Sequence, residues 1–297
     1  MTSSVAVVAG GLVGLGAAGM AAGTLAVSAR RDRPYLPGSH AEPVPGRRDP
    51  LRDALHHGYA SVGLAVEVGA DGRLRLTGDD PPTVRDAVLE PLVGRRRYPT
   101  LREPLALLVE PRGEPVETYA ALDYELRAYH RVLTRYSEGE VVQGPVTVLL
   151  TGPDCPRELL ATQQTRYAFV VGTFADIDSS AAPPALVPLV SEHVAGRFGW
   201  DGRDEMPAEE RHLLRVLVRA AHADRRRVRF SGIPARPRRA RRAFWRELSA
   251  AGVDLIGTAD LGALARQLRG PRLTIGERSV NRTRTPWAGE AASRTGA

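Results

Sequence analysis

Ser39-HAEPVPGRRDPLRDALHHGYASVGLAVEVGADGRLRLTGD-Asp80 is the stretch on which the reading of the fold turns. Its centre, Ser61–Val68, is a short β-rich apolar run. Before it lies a helical segment ending at His56 and His57, where imidazoles suit the negative end of the helix dipole. After it, Thr77-Gly-Asp-Asp reads as a turn. Working outward, further short apolar runs recur at Leu105–Glu110, Val146–Thr151, Tyr167–Val171, Leu186–Val190, Arg227–Phe230 and Asp254–Gly257. Longer helical patterns lie between them, clearest over Pro115–Tyr136, Pro207–Asp224 and Arg236–Ala250. Pro207-Ala-Glu-Glu is a good helix entrance, with proline in the first turn and acids near the positive dipole end. Leu213, Leu214, Leu217, Val218 and Ala221 then recur at three- and four-residue steps, giving one buried stripe. Buried strands alternating with helices imply a parallel sheet covered by helices. At somewhat over two hundred residues, that predicts an α/β fold of the (β/α)8 TIM type, preceded by one N-terminal hydrophobic helix. In such a barrel, sites form at the carboxyl ends of the strands, where Asp79, Glu110 and Arg112 are expected to cluster.

The opening stretch also resembles the phospholipase-C-like phosphodiesterases, the group that holds the glycerophosphodiester phosphodiesterases. It is most similar to the branch named for yeast altered-inheritance-of-mitochondria protein 6, whose members open HAHNDYxHxRPLxDALxxGxxSVExDVxLxDGxLxVxHD. The scaffold positions agree without gaps: His40, Pro50-Leu51, Asp53-Ala54-Leu55, Gly58, Ser61-Val62, Asp71-Gly72, Leu74, Leu76 and Asp79. Further on, Leu105-Ala-Leu-Leu-Val-Glu110-Pro-Arg112 resembles LLVDIK, and Val146-Thr-Val-Leu-Leu-Thr-Gly152 with Pro156-Arg157-Glu158-Leu159 resembles VTVVxSGxxPRE. Arg229-Phe230 with Pro234 resembles RFWATP. Gly252-Val-Asp-Leu-Ile256 with Thr258 and Asp260-Leu261 resembles GVDxINTDDL. The resemblance spans roughly Ser39 to Arg269.

Position by position, the chemistry of that family is missing. Its catalytic histidine falls on Glu42, its asparagine and aspartate on Pro43 and Val44, and the next histidine on Arg47. The metal-binding glutamate and aspartate fall on Gly63 and Ala65, the second histidine on Gly78, and only the last aspartate persists, as Asp79. Tryptophan, asparagine and aspartate of the later strands become Ser231, Gly257 and Ala259. Phosphodiester cleavage needs a group to take a proton and another to protonate the leaving oxygen, work suited to imidazole. It also needs carboxylates to hold a divalent cation against the developing charge. Glycine and alanine do neither. The resemblance therefore implies an inherited fold with vestigial positions at His40, Glu42, Arg47, Gly63, Ala65, Gly78, Asp79 and Glu110.

Three readings follow. The first is a barrel that has lost catalysis and binds a ligand or lipid, with Arg112, Arg157 and Arg229 as anion contacts and no cofactor. The second is a phosphodiesterase with a relocated Ca²⁺ or Mg²⁺ site built from Glu67, Asp79 and Glu110, helped by Glu42. Glu67 lies two residues beyond Ala65 on one strand face and is expected to point into the barrel mouth. The third is a scaffold at the membrane. Against the second stands a plainer view in which Glu42 is a rim partner of Arg112 and Asp79 a turn residue. The first reading is preferred because the losses fall on chemistry while scaffold positions persist, although fold alone does not carry function.

Val5–Val27 carries no charge and is long enough to cross a bilayer. Residues 1–29 therefore read as a signal peptide or membrane anchor, 30–38 as a linker, 39–269 as the barrel and 270–297 as a disordered tail. Val27 and Ala29 would suit cleavage before Arg30, whereas Arg30, Arg31 and Arg33 favour a cytoplasmic side. A membrane-associated or secreted protein is expected, its side left open. Gly14-Leu-Gly16-Ala-Ala-Gly19 has the form of a nucleotide-binding turn but lacks the acidic residue about twenty positions on. The net charge is +7 and every cation is arginine. Codon usage explains that choice, and the cluster Arg236–Arg242 reads first as a solvated face and second as a peripheral contact for an anionic lipid or phosphorylated small molecule. No recognisable nucleic-acid module accompanies it, so nucleic acid is not an expected partner. A lone Cys155 excludes an internal disulfide and a cysteine-based zinc site. His193, His212 and His222 are scattered over the second half and read as structural or solvated.

Overall fold

Side chains along the strands alternate between two apolar clusters, as in a sheet buried on both faces. In the computed structural model, which describes residues 34–93, 105–153 and 155–270, the strands in chain order are β1 (Leu36–Ala41), β2 (Tyr59–Val68), β3 (Leu74–Leu76), β4 (Leu105–Pro111), β5 (Arg135–Ser137), β6 (Glu140–Val142), β7 (Val146–Leu150), β8 (Thr165–Arg166), β9 (Ala168–Gly172), β10 (Leu189–His193), β11 (Arg227–Ser231) and β12 (Leu255–Thr258). The helices are α1 (Pro50–His56), α2 (Glu90–Val93), α3 (Pro115–Ala128), α4 (Arg157–Thr162), α5 (Val194–Arg197), α6 (Ala208–Ala223), α7 (Arg238–Ala251) and α8 (Leu261–Arg269). Eight strands pair in parallel in the order β1-β2-β4-β7-β9-β10-β11-β12, and β12 returns to β1, closing the ring. The short β3 adds antiparallel to the end of β2. This is the expected (β/α)8 TIM-type barrel. The unit after β9 carries only a 3₁₀ turn, Phe174–Asp176, in place of a long helix.

Leu107 and Val109 of β4, Val148 and Leu150 of β7, and Val170 of β9 face the helices. Ala106 and Leu108, Leu149 and Phe169 face the lumen, with Leu189 and Leu255. The amino-terminal end of the lumen is closed by a small antiparallel sheet, β6-β5-β8. Tyr136 and Val141 of that sheet pack on the inner cluster, and the buried Arg166 guanidinium lies 3.9 Å over the Tyr136 ring. The lumen is therefore filled below, and its open space among the described residues lies toward the carboxyl ends of the strands.

Two element boundaries differ from the sequence expectation. The helix predicted over Pro115–Tyr136 ends at Ala128. The chain then forms a hairpin whose two-residue turn, Glu138-Gly139, has positive φ at both positions (55° and 85°), the type I′ geometry that matches strand twist. The strand predicted over Leu186–Val190 starts at Leu189, because Leu186 and Val187 both turn their amides back to the Pro183 carbonyl. It continues through Glu192 and His193 toward the carboxyl end. Leu36 is buried and already part of β1, so the chain enters the barrel within the stretch read as linker. The apolar run Val5–Val27, the glycine turn at Gly14–Gly19 and the tail after Gly270 lie outside the described residues. Among the described residues no helix is long and apolar enough to cross a membrane.

Candidate functional site

At the carboxyl ends of β1, β2, β4, β7 and β11 lies a cavity of about 220 Å³. Its polar wall is made by His40, Glu42, Glu110, Thr151, Arg229 and Ser231, and its apolar wall by Pro43, Gly63, Leu64 and Leu108. Strand register brings these residues together. His40 lies level with Ser61 on one side and Gly257 on the other, and Ala65 lies level with Glu110.

A single ion pair dominates the cavity. Arg229, from the middle of β11, donates to both carboxylate oxygens of Glu42 at 2.8 and 2.6 Å and to Ser191 Oγ at 3.1 Å. Glu42 follows directly after β1, so the pair ties the first strand to the seventh of the ring. Arg229 is buried, and such paired, charge-assisted bonds are the form in which a buried guanidinium is tolerated. Behind it, His40 is fully buried. Its Nδ1 lies 2.8 Å from Ser61 Oγ and its Nε2 lies 3.5 Å from Glu42 Oε2. The tautomer with its proton on Nε2 turns an N–H toward the carboxylate and lets the Ser61 hydroxyl donate to Nδ1; the other would set a lone pair against a negative oxygen.

Charge states follow from these contacts. Burial, and then the Arg229 charge, push His40 below its ordinary 6.5, against the weaker opposite pull of Glu42. Burial alone would raise Glu42, but the His40 imidazole and the Arg229 guanidinium outweigh it and hold the carboxyl at about 2. At neutral pH the network is thus a neutral imidazole beside a carboxylate bonded to a guanidinium. His40 Nε2 and Arg229 Nε are buried without a hydrogen-bond partner.

Space is allotted as closely as charge. A Cβ on Gly257 would overlap Glu42 Oε1, and a Cβ on Gly63 would lie 2.6 Å from Pro43 Cδ. The two glycines stand where the resembled family has asparagine and glutamate, and the room their side chains would take is filled by Glu42 and Pro43. Gly78, at a second expected histidine position, has φ 138° and would place a Cβ 2.9 Å from the Gly46 amide nitrogen. A side chain there meets backbone as well as strain.

The other expected site residues are dispersed. Glu110 pairs with Arg112 at 2.9 Å, so the Glu42–Arg112 contact expected from sequence is replaced by Glu42–Arg229 and Glu110–Arg112. Arg157 is taken by Asp176 at 2.6 Å. All three arginines expected to contact an anion thus already hold a carboxylate. Arg47 reaches Asp53 at 3.7 Å and the Ala259 carbonyl at 3.5 Å. Asp79 is exposed, and neither it nor Glu67 lines the cavity; Glu67 pairs in register with Arg75 on the β3 hairpin. Glu67, Asp79 and Glu110 therefore do not converge, and among the described residues no three acidic, His or Cys side chains are grouped to hold a metal. Ca²⁺ or Mg²⁺ needs several convergent oxygens. Here Ala65 and Gly63 supply none, Glu42 is spent on Arg229 and Glu110 on Arg112, so the residues present do not fit such an ion. Cys155 is also set apart, since burial pushes its thiol up to about 11 despite nearby Arg157. Elsewhere His222 bonds Asp254 at 2.7 Å and His193 accepts from the Ala195 amide.

Sequence reasoning missed Ser61, Thr151, Ser191 and Ser231. Two exchanges in the sequence pointed to this arrangement: a glutamate at a histidine position of the first strand end, and a glycine for asparagine at the last. An acid that reaches into the room left by a missing side chain is what a refilled site requires.

No protein-family model matches the sequence, and no curated protein matches it. Among solved structures, the chain is similar to a glycerophosphoryl diester phosphodiesterase from Parabacteroides distasonis at 16% identity, covering 78% of this chain and 86% of that one, with a TM-score of 0.45. It is similar to a glycerophosphodiester phosphodiesterase from Agrobacterium tumefaciens at 15% identity, covering 78% and 99%, with a TM-score of 0.42. A third, S. officinalis PLC21, is 11% identical over 78% of this chain and 34% of that one, with a TM-score of 0.42. The barrel assignment rests on the strand pairing alone.

Two expectations test this geometry. Unfolded chain takes up a proton at His40 near pH 6.5 that the folded protein refuses, so stability falls as pH drops through that value, by at most about 1.4 kcal/mol per pH unit. A second loss follows at lower pH, as the unfolded Glu42 protonates while the folded carboxylate, held at about 2, does not. In urea unfolding near pH 8 and about pH 5.5, His40→Asn should remove most of the first loss; an unchanged profile would contradict the buried neutral imidazole. Gly257→Ala should cost about 2 kcal/mol by displacing Glu42, and much less in a Glu42→Ala background. Equal costs in both backgrounds would show that Glu42 does not fill that space.

Proposed function

We propose that this chain is a phospholipase-C-like phosphodiesterase barrel, of the branch resembling altered-inheritance-of-mitochondria protein 6, that binds a small ligand or lipid headgroup without hydrolysing it. The observation that carries this reading is the Glu42–Arg229 pair, which occupies the carboxyl-terminal mouth where the resembled family keeps its acid–base and metal chemistry. Hydrolysis needs a proton acceptor and a proton donor free to act on opposite sides of the ester. In this cavity the carboxylates of Glu42 and Glu110 each accept from an arginine, and His40 presents one buried nitrogen. Binding needs less. The Thr151 and Ser231 hydroxyls offer hydrogen bonds on one wall, while Leu108 and Pro43 offer apolar contact on the other.

The uncharged run Val5–Val27 supports a membrane-associated or secreted protein. A phosphodiesterase with a rearranged acidic site finds less support, because Glu67 and Asp79 stand away from Glu110.

The test is calorimetric titration of the protein with Ca²⁺ and Mg²⁺, run beside phosphodiesterase assays on glycerophosphodiesters and phosphatidylinositol. The expected result is no cation binding and no turnover. Stoichiometric cation binding, with turnover abolished by Glu110→Ala, would overturn the proposal.

A further inference from the structure

Away from the barrel mouth, charge is least balanced on α7. Residues 236–250 hold six arginines and one acid, Glu247. Arg241 is taken by Asp260 at 3.1 Å and lies over the Trp245 ring, and Glu247 is taken by Arg211 of α6 at 3.0 Å. Arg236, Arg238, Arg239, Arg242 and Arg246 are exposed, and none has an ion-pair partner among the described residues. Arg238, Arg242 and Arg246 follow at four-residue steps, so they form a row about 6 Å apart along the helix, with Arg239 beside it. The opposite face holds Ala240, Phe244, Trp245 and Leu248, all buried. The aromatic side chains are thus turned inward and the outward face is cationic.

This arrangement works against the helix that carries it. Like charges four residues apart oppose helix formation. Arginines in a first turn that has no acid sit at the positive end of the dipole. Codon usage explains arginine in place of lysine; it does not explain arginine in place of glutamate on a solvent face. A local rule broken at the surface, with no gain inside the fold, marks a binding face.

We infer that the outward face of α7 docks on an anionic lipid surface. The inference rests on the membrane reading above in one respect, the local abundance of lipid. The apolar run ends at Val27, and the eight residues from Ser28 to Tyr35 keep β1 within about 30 Å of any bilayer the run enters. A row of arginines complements a sheet of phosphate and carboxylate headgroups, which asks for charge alone. Nucleic acid is less well served. The exposed face of α7 has no aromatic side chain for bases to stack on and no Asn or Gln to read base edges.

The test compares the full-length protein with R238Q/R242Q/R246Q and R238E/R242E/R246E on phosphatidylcholine vesicles with and without phosphatidylserine. The readout is the ratio of anionic to neutral binding. Wild type should prefer anionic vesicles in a salt-sensitive way, and the glutamine variant should lose on the order of 100-fold of that ratio with an unchanged circular dichroism spectrum. The glutamate variant should prefer neutral vesicles. Anionic binding that depends on the arginines, without any binding to neutral vesicles, would uphold this contact and sink the anchor. An unchanged ratio in the glutamine variant would overturn it, and so would arginine-dependent binding to an oligonucleotide that exceeds binding to anionic vesicles. Should a variant unfold, the wild-type ratio decides, since a ratio insensitive to salt contradicts the contact.

Discussion

A guanidinium buried in a barrel must find a carboxylate, and in this protein that need organises the mouth. Arg229 rises from β11 into a space with little access to water, where an unpaired cation would be expensive. Glu42 answers it with both oxygens. For Glu42 to reach, the last strand must be bare at Gly257, and for Pro43 to follow it, the second strand must be bare at Gly63. His40 is then sealed beneath, bonded to Ser61 and held neutral. One electrostatic constraint thus fixes residues on four strands, and each small residue is the counterpart of a larger one nearby.

The same logic closes the other end by different means. Below the inner cluster, Arg166 is buried against aromatic rings and donates to the Ala185 carbonyl. Tyr136 and Val141 complete the seal. A stacked arginine over an apolar plug gives stability without reactive groups, as expected of the amino-terminal face of such a barrel. Buried nitrogens without a partner occur at both ends, Arg166 Nε below and His40 Nε2 and Arg229 Nε above, but the cavity lies at the mouth, lined by His40 and Arg229. Buried donors of that kind are unfavourable unless something occupies the space beside them.

Much of the fold was legible because strand and helix periods are written in local sequence. Of the expected α6 stripe, Leu214, Val218 and Ala221 lie buried and Leu217 is half-buried, while Leu213 is exposed at the edge of that face, and the apolar runs became barrel strands. The helix over Pro115–Tyr136 was overextended because Tyr136 and its neighbours have no local mark of their role beneath the barrel; only the Glu138-Gly139 turn signalled a hairpin. Within the site, the individual residues Glu42, Glu110, Arg112 and Arg229 were legible, but their pairing was not. Which arginine faces which acid depends on register around a ring, and Glu42 and Arg229 stand far apart in the chain. The filling of Gly63 by Pro43 was likewise invisible, since it depends on where the loop after β1 folds back. Arg157 and Arg112 looked free to bind anions only until their neighbours Asp176 and Glu110 were in place.

The most direct test of this account is a double-mutant cycle on Glu42→Ala and Arg229→Met, read by reversible unfolding. If the mouth is organised by this one pair, each single change should destabilise by about 3 kcal/mol and the double change by little more than one of them, a coupling of about 2 kcal/mol or greater. Additive effects of the two substitutions would contradict the account, because they would mean that Glu42 and Arg229 do not depend on each other and that something else holds the site closed.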